Sequence, residues 1–337
     1  MADLKISQLT AVSASLATDE FAVNQGAVSK KATLAQLLTN PVIPQSFDMT
    51  GLATDPALPA TGILRVHAGI LAGRSLLRVV NENGEVAFMQ PSLFQSRGQL
   101  YVPSTGSTGT GSGTGLGPVW TAGGTVTTPT PSSTAPAVSS QMRRTQFANV
   151  VTTTNQTLGL RAAAADSLSL WRGNAVGLGG FSFAARFIVA LIPAATVRIF
   201  AGVTASSAAD VVTSDTVLND TCGIWHSTVD PLTGAGAFNF VTRNTATTTK
   251  QSITLLNAIV AGGAYDFFMY CPPNGGTISW RLDDINNLVT YTGNTSTTLP
   301  TATTFMGPQC AMSNGTANVT ASTVAIGVAG VYTESTR

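Results

Sequence analysis

Between Gln99 and Met142 the chain carries no Asp, Glu, Lys or Arg, and residues 104–115 are almost pure Gly, Ser and Thr. Proline follows at Pro129, Pro131 and Pro136. Such a stretch has no amphipathic period and too little apolar surface to form a core, so it is expected to connect bodies rather than be one. The expected organisation is therefore a small N-terminal module over residues 1–42, a β-rich shoulder over 43–98, a connector or stalk over 99–142, and a C-terminal body over 143–337. Only the last is large enough for a sizeable core.

From Phe147 onward the chain reads as successive strands. Phe181, Phe183, Ala185, Phe187, Val189 and Leu191 alternate with Ser182, Ala184, Arg186, Ile188 and Ala190, giving one apolar and one mixed face. Val197, Ile199, Ala201 and Val203 repeat the pattern. Further strands are expected over 223–227, 238–243, 265–271, 277–283, 289–292, 305–312 and 324–332, with turns at 230–231, 234–236 and 272–276. The longest helix the pattern admits covers 252–259. Many strands joined by short turns predict a mainly β chain ending in an antiparallel β-sandwich of jelly-roll, concanavalin-like type. In the shoulder, strands are expected over 63–66 and 75–80, the second closing on 85–89 through the Asn83-Gly84 turn. Arg74, Arg78 and Arg97 read there as solvated charges flanking strands.

Charged residues make up only 10% of the chain, against roughly 25% in an average soluble protein, and the net charge is +1. No basic patch offers itself to nucleic acid or to an acidic membrane. The most apolar run, 183–200, is broken by Arg186, Pro193 and Arg198, so membrane insertion is not expected. The first ten residues lack the pattern of a secretory signal. Cys222, Cys271 and Cys310 are an odd number in a large chain and read as buried free thiols in a reducing compartment.

The first forty residues have a pattern of their own. Phe21 and Val23, the Gln25-Gly26 turn, and Val28, Lys30 and Ala32 predict a short hairpin. Thr33-Leu34-Ala35-Gln36 has capping-box spacing, and Leu34, Leu37 and Leu38 would then line one face of a helix ending before Pro41. A unit this small cannot bury enough apolar surface alone and is expected to dock on a partner. The ordered pieces Lys5-Ile6-Ser7-Gln8-Leu9, Asp19-Glu20-Phe21-Ala22-Val23, Gln25-Gly26 and Val28 through Leu38 resemble the N-terminal module that recurs on bacteriophage fibre and spike proteins. The resemblance implies attachment of an appendage to the virion, with Ile6, Leu9, Phe21, Val23, Leu34, Leu37 and Leu38 as docking residues. The partners it implies are other virion proteins of the tail or neck, alternatively the capsid. It places the chain in the virion after synthesis in the bacterial host cytoplasm, and implies no catalytic residue.

Candidate chemistry in the C-terminal body is sparse. Asp266, Asp283 and Asp284, with Asp210, Asp215 and Asp220, are the carboxylates from which a glycan-cleaving pair would come, and they read as polar outward or turn positions. Cys222 and His226 stand four apart, but no Cys-x-x-Cys pair supports zinc, and no metal or cofactor is expected. Trp280 is in phase with Ile278 and Leu282 and reads as core. Trp225 and Tyr270 are the candidate glycan contacts, as flat faces for a sugar ring.

The expectation is thus a non-enzymatic phage tail fibre that presents a β-sandwich to host-surface glycan. A capsid-attached head fibre or decoration protein and a polysaccharide depolymerase are the alternatives. Exposed strand edges argue for self-association, and the fibre resemblance makes it a homotrimer.

Overall fold

The computed structural model describes residues 20–25, 28–33, 49–54, 56–80, 86–88, 96–103, 120–134, 137–151, 157–162, 168–191, 197–206, 219–228, 237–314 and 322–336. The chain divides into two compact units, Met1–Thr50 and Gly51–Arg337. In the first, Glu20–Gln25 (β1) pairs antiparallel with Val28–Thr33 (β2), which is the expected hairpin. Phe21 and Val23 stand opposite Ala32 and Lys30. Ile6, Leu9, Leu34, Leu37 and Leu38, and the helix expected after Thr33, lie outside the described residues.

The second unit opens with a three-stranded sheet of Arg65–Leu71 (β3), Arg74–Val80 (β4) and Val86–Phe88 (β5). Ala72 and Gly73 both have positive φ, at 48° and 77°, so β3 and β4 are joined by a tight two-residue turn whose twist suits a hairpin. The strand expected over 63–66 thus begins at Arg65 and runs on into that hairpin.

The remaining strands are Ser96–Tyr101 (β6), Trp120–Gly123 (β7), Thr125–Thr127 (β8), Thr145–Val151 (β9), Thr157–Ala162 (β10), Phe181–Leu191 (β11), Arg198–Thr204 (β12), Thr221–Ser227 (β13), Ala237–Arg243 (β14), Thr248–Thr254 (β15), Gly263–Cys271 (β16), Ile278–Asp284 (β17), Val289–Thr295 (β18), Gly307–Ser313 (β19) and Ser322–Thr336 (β20). They form two antiparallel sheets. One has seven strands in the order β15-β14-β13-β12-β19-β10-β7. The other has eight, in the order β18-β17-β16-β11-β20-β9-β8 with β6 also paired to β20. Consecutive strands sit in different sheets at β11 and β12, at β15 and β16, and at β19 and β20, so the chain weaves between the layers as a jelly-roll sandwich does. The mainly β, antiparallel sandwich expected from the sequence is the fold.

The inner faces of the two sheets make one core. Phe187 of β11 stacks on Tyr265 of β16 at 5.5 Å between centroids and meets Phe238 of β14 edge-on at 6.2 Å across the layers. Phe240 of β14 stacks on Trp280 of β17 at 5.5 Å, so Trp280 is core as its phase suggests. Each such side chain contributes about 1.5–3 kcal/mol through burial. At the centre of the eight-stranded sheet, the β11–β20 register slips between Arg186 and Phe187, and beyond the slip Phe187, Ile188 and Val189 are all buried.

Two expectations are corrected. The stretch over 99–142 does not only connect: β6, β7 and β8 carry its described ends into the sheets, β7 and β8 as edges, while residues 104–119 lie outside the described residues. An edge strand needs ladder hydrogen bonds and few apolar side chains, which Gly and Thr can supply, so composition alone undervalues it. The helix expected over 252–259 is absent. Thr248–Thr254 is a strand, and Ile253 and Leu255 reach the core with the two-residue spacing of extended chain. Among the described residues the α-helix is the single turn Val138–Gln141.

Candidate functional site

The mixed face of β11 points away from the core, and its neighbours in the eight-stranded sheet extend it into three parallel rows. Glu334, Ser182, Tyr270, Ser279 and Asn294 stand side by side on successive strands. Leu100, Tyr332, Ala184, Phe268, Arg281 and Thr292 form the next row. Gly330, Arg186, Asp266, Asp283 and Thr290 form the third. This outer face is half-buried rather than covered: Ser182, Ala184, Asp266, Phe268, Tyr270, Arg281, Asp283 and Tyr332 are all intermediate in exposure.

The first row is occupied by the tip of the β3–β4 hairpin. Arg74 donates to both carboxylate oxygens of Glu334, at 2.8 and 3.0 Å, and to Ser182 Oγ at 2.6 Å. Its guanidinium also lies 5.6 Å from the centre of the Tyr270 ring. Burial alone would lower the Arg74 pKa, but the hydrogen bond and charge of Glu334 outweigh it and the pKa is raised. Arg74 is therefore not a solvated charge, as the sequence suggested, but the residue that fastens the hairpin to the sandwich. Burial raises the Tyr270 pKa, with Arg74 opposing. With Arg74 over its ring, Tyr270 is not the open stacking platform expected.

Among the described residues the second and third rows stay open, and their parts from Leu100 to Phe268 and from Gly330 to Asp266 form a depression of about 240 Å³. Its floor is Ala184 and Gly330, where side chains are smallest, and Leu100, Tyr332 and Phe268 line its walls. A Cβ built on Gly330 would meet only the Tyr101 carbonyl, at 3.8 Å. One end is closed by a bidentate pair, Arg186 Nε to Asp266 Oδ1 at 2.6 Å and Nη2 to Oδ2 at 2.5 Å. The pair keeps an outward edge, since the side chains are 47% and 16% exposed. The Asp266 hydrogen bond raises the Arg186 pKa against the effect of burial. Burial, with the neighbouring Glu334, pushes Tyr332 up to about 12, so its hydroxyl stays protonated and donates to Glu334 Oε2 at 3.2 Å.

The carboxylates considered for glycan cleavage are placed otherwise. Asp266 and Asp283 are direct cross-strand partners, and each is engaged by its own arginine: Asp266 by Arg186, Asp283 by Arg281 at 2.8 Å and by the Thr290 hydroxyl at 2.6 Å. Asp284 is buried and holds Asn287 at 2.8 Å, and Asp220 is buried and accepts from the Thr301 amide at 2.5 Å. Asp210 and Asp215 lie outside the described residues.

Trp225 is corrected as a glycan contact. It lies in β13 of the seven-stranded sheet with no exposed surface, clustered with Phe200, Val241 and Ala311. The three cysteines are free and buried, as expected, and burial pushes Cys271 up to about 11 and Cys310 up to about 12. His226 points its Nδ1 at the Ala237 carbonyl, 2.7 Å away. Arg186, which the sequence marks only as a polar position in the alternation and a break in the apolar run, and Phe268, Tyr332, Leu100 and Gly330 are not legible as site residues from the sequence. The available signal was the polar phase of the Phe181–Leu191 alternation, but which residues stand beside Arg186 depends on partners 80 or more positions away.

No family model matches this sequence, and no curated protein matches it. Among solved structures it is similar to peanut lectin in complex with a nine-residue peptide, with a TM-score of 0.44 and 13% identity over 72% of this chain and 97% of that one. It is also similar to a Shewanella oneidensis MR-1 protein of unknown function, at 0.45 and 10% over 73% and 90%. A family 7 alginate lyase in complex with substrate gives 0.36 and 12% over 58% and 79%.

Proposed function

We propose that this chain is a non-enzymatic bacteriophage tail fibre that attaches to host-surface glycan through the outer face of its eight-stranded sheet. The observation that supports glycan contact is the open depression over Ala184 and Gly330, where aromatic walls meet hydrogen-bonding charges on a rigid sheet. Apolar ring faces and polar groups that both donate and accept suit a sugar, which presents C–H faces and hydroxyl edges. The resemblance of the first forty residues to phage anchoring modules supports the virion setting, and the same resemblance supports a homotrimer. Several weak sites carried on one particle gain avidity through effective concentration.

The test is retention of the full-length protein on purified surface polysaccharide of the host, with the reducing ends of the polysaccharide counted before and after. Retention with an unchanged count is expected. Chain shortening would replace adhesion by depolymerisation, and absence of retention would remove the glycan reading. Light scattering tests the trimer, which a persistent monomer at micromolar concentration would overturn.

A further inference from the structure

We infer that the depression selects a single neutral hexopyranose and rejects uronic and sialic acids; this rests on the glycan reading of the same face. Size is the first argument. Pockets for drug-sized ligands run to roughly 300–1,000 Å³, and this one holds about 240 Å³, room for one sugar ring rather than several. Shape is the second. Tyr332 and Phe268 sit on either side of Ala184 in one row, two strand spacings or about 10 Å apart. Two van der Waals contacts of about 3.5–4 Å each fit one flat ring between them.

Charge decides the class. Arg186 and Asp266 cancel, and so do Arg281 and Asp283 in the adjoining positions, so the face carries no net field for an anion. Nε and Nη2 of Arg186 already serve Asp266, which leaves Nη1 and one Nη2 hydrogen free to donate, while the carboxylate keeps lone pairs that accept. An Arg186 donor beside an Asp266 acceptor matches a vicinal diol, in which one hydroxyl accepts from Arg186 and its neighbour donates to Asp266. A sugar carboxylate on the free Nη edge of Arg186 would stand near Asp266 and its cross-strand partner Asp283, whose like charges oppose it.

The experiment is saturation-transfer NMR on the full-length protein, with methyl glycosides of glucose, galactose and mannose against glucuronic acid and N-acetylneuraminic acid. At least one neutral glycoside is expected to bind at least tenfold more tightly than either acid. Gly330→Val, which fills the floor where the backbone leaves open space, should abolish that binding with an unchanged melting temperature. Arg186→Lys keeps the charge but loses the fork, and should weaken binding at least fivefold. Tighter binding of either acid, or neutral binding indifferent to Gly330→Val, would overturn the selectivity while leaving glycan contact standing. No binding of any sugar, together with no retention on host polysaccharide, would overturn both.

Discussion

Arg74 and Glu334 are 260 positions apart in sequence and form a two-pronged ion pair whose side chains are only 18% and 3% exposed. The pair fixes a hairpin tip on the strand that runs through the middle of the eight-stranded sheet, so removing one member strands the other. Arg74→Met is expected to cost about 3–5 kcal/mol, because it leaves the Glu334 carboxylate buried with no opposite charge and, among the described residues, only the Tyr332 hydroxyl as a partner. Adding Glu334→Gln should recover much of that loss. Urea denaturation of the two variants is the measurement, and a double variant no more stable than the single would show that the hairpin is held by something else.

Alkaline stability should report the buried thiols. Cys310 is raised from an ordinary 9.0 to about 12 by burial. Between those values the unfolded chain releases a proton that the folded chain keeps, so stability is intact below about pH 9 and falls as pH rises toward 12. One such group contributes a slope of about 1.4 kcal/mol per pH unit. Cys310→Ala is expected to flatten the fall in melting temperature between pH 9 and 11, whatever it does to the value at pH 7. An unchanged slope would mean the thiol ionises in place.

Where a strand buries one face, its alternation announces it, and Phe181–Leu191 was readable almost to the residue. The polar strand Thr248–Thr254 was not, because Ile253 is its only fully buried side chain and a single apolar position has no period. Trp225 failed for the opposite reason. It lies in a strand buried along its whole length, and burial of the second face of a sheet is a tertiary fact that local pattern does not carry. The candidate site shared that limit. Asp266 and Asp283 could be placed outward on one hairpin, but the arginine that completes Asp266 comes from β11 through a register that no local signal sets.

The division at Thr50 leads to a third expectation. A chain lacking residues 1–50 should fold and melt within about 3 °C of the full-length protein, a change below about 1 kcal/mol. Differential scanning calorimetry of the two chains would check it. A drop of ten degrees would mean that the N-terminal unit contributes to the stability of the second.

Asn239 gives the last prediction. Its side chain is wholly buried, and neither its amide nitrogen nor its oxygen has a hydrogen-bond partner among the described residues. It stands opposite Trp225, whose indole nitrogen likewise has no partner among the described residues, beside the apolar cluster of Phe200, Trp225, Val241 and Ala311. A buried polar group left unsatisfied costs about 1–3 kcal/mol, and leucine is close to asparagine in size with nothing to satisfy. Asn239→Leu is therefore expected to raise stability by about 1–2 kcal/mol, a gain of the kind natural proteins leave open. Chemical denaturation would measure it. A loss of more than about 1 kcal/mol instead would show that the amide holds an ordered water, since removing such a water from a polar site is costly. The same substitution at Gln309, also buried and without a side-chain partner among the described residues, would then separate a property of this one position from a property of the whole outer face of the sheet.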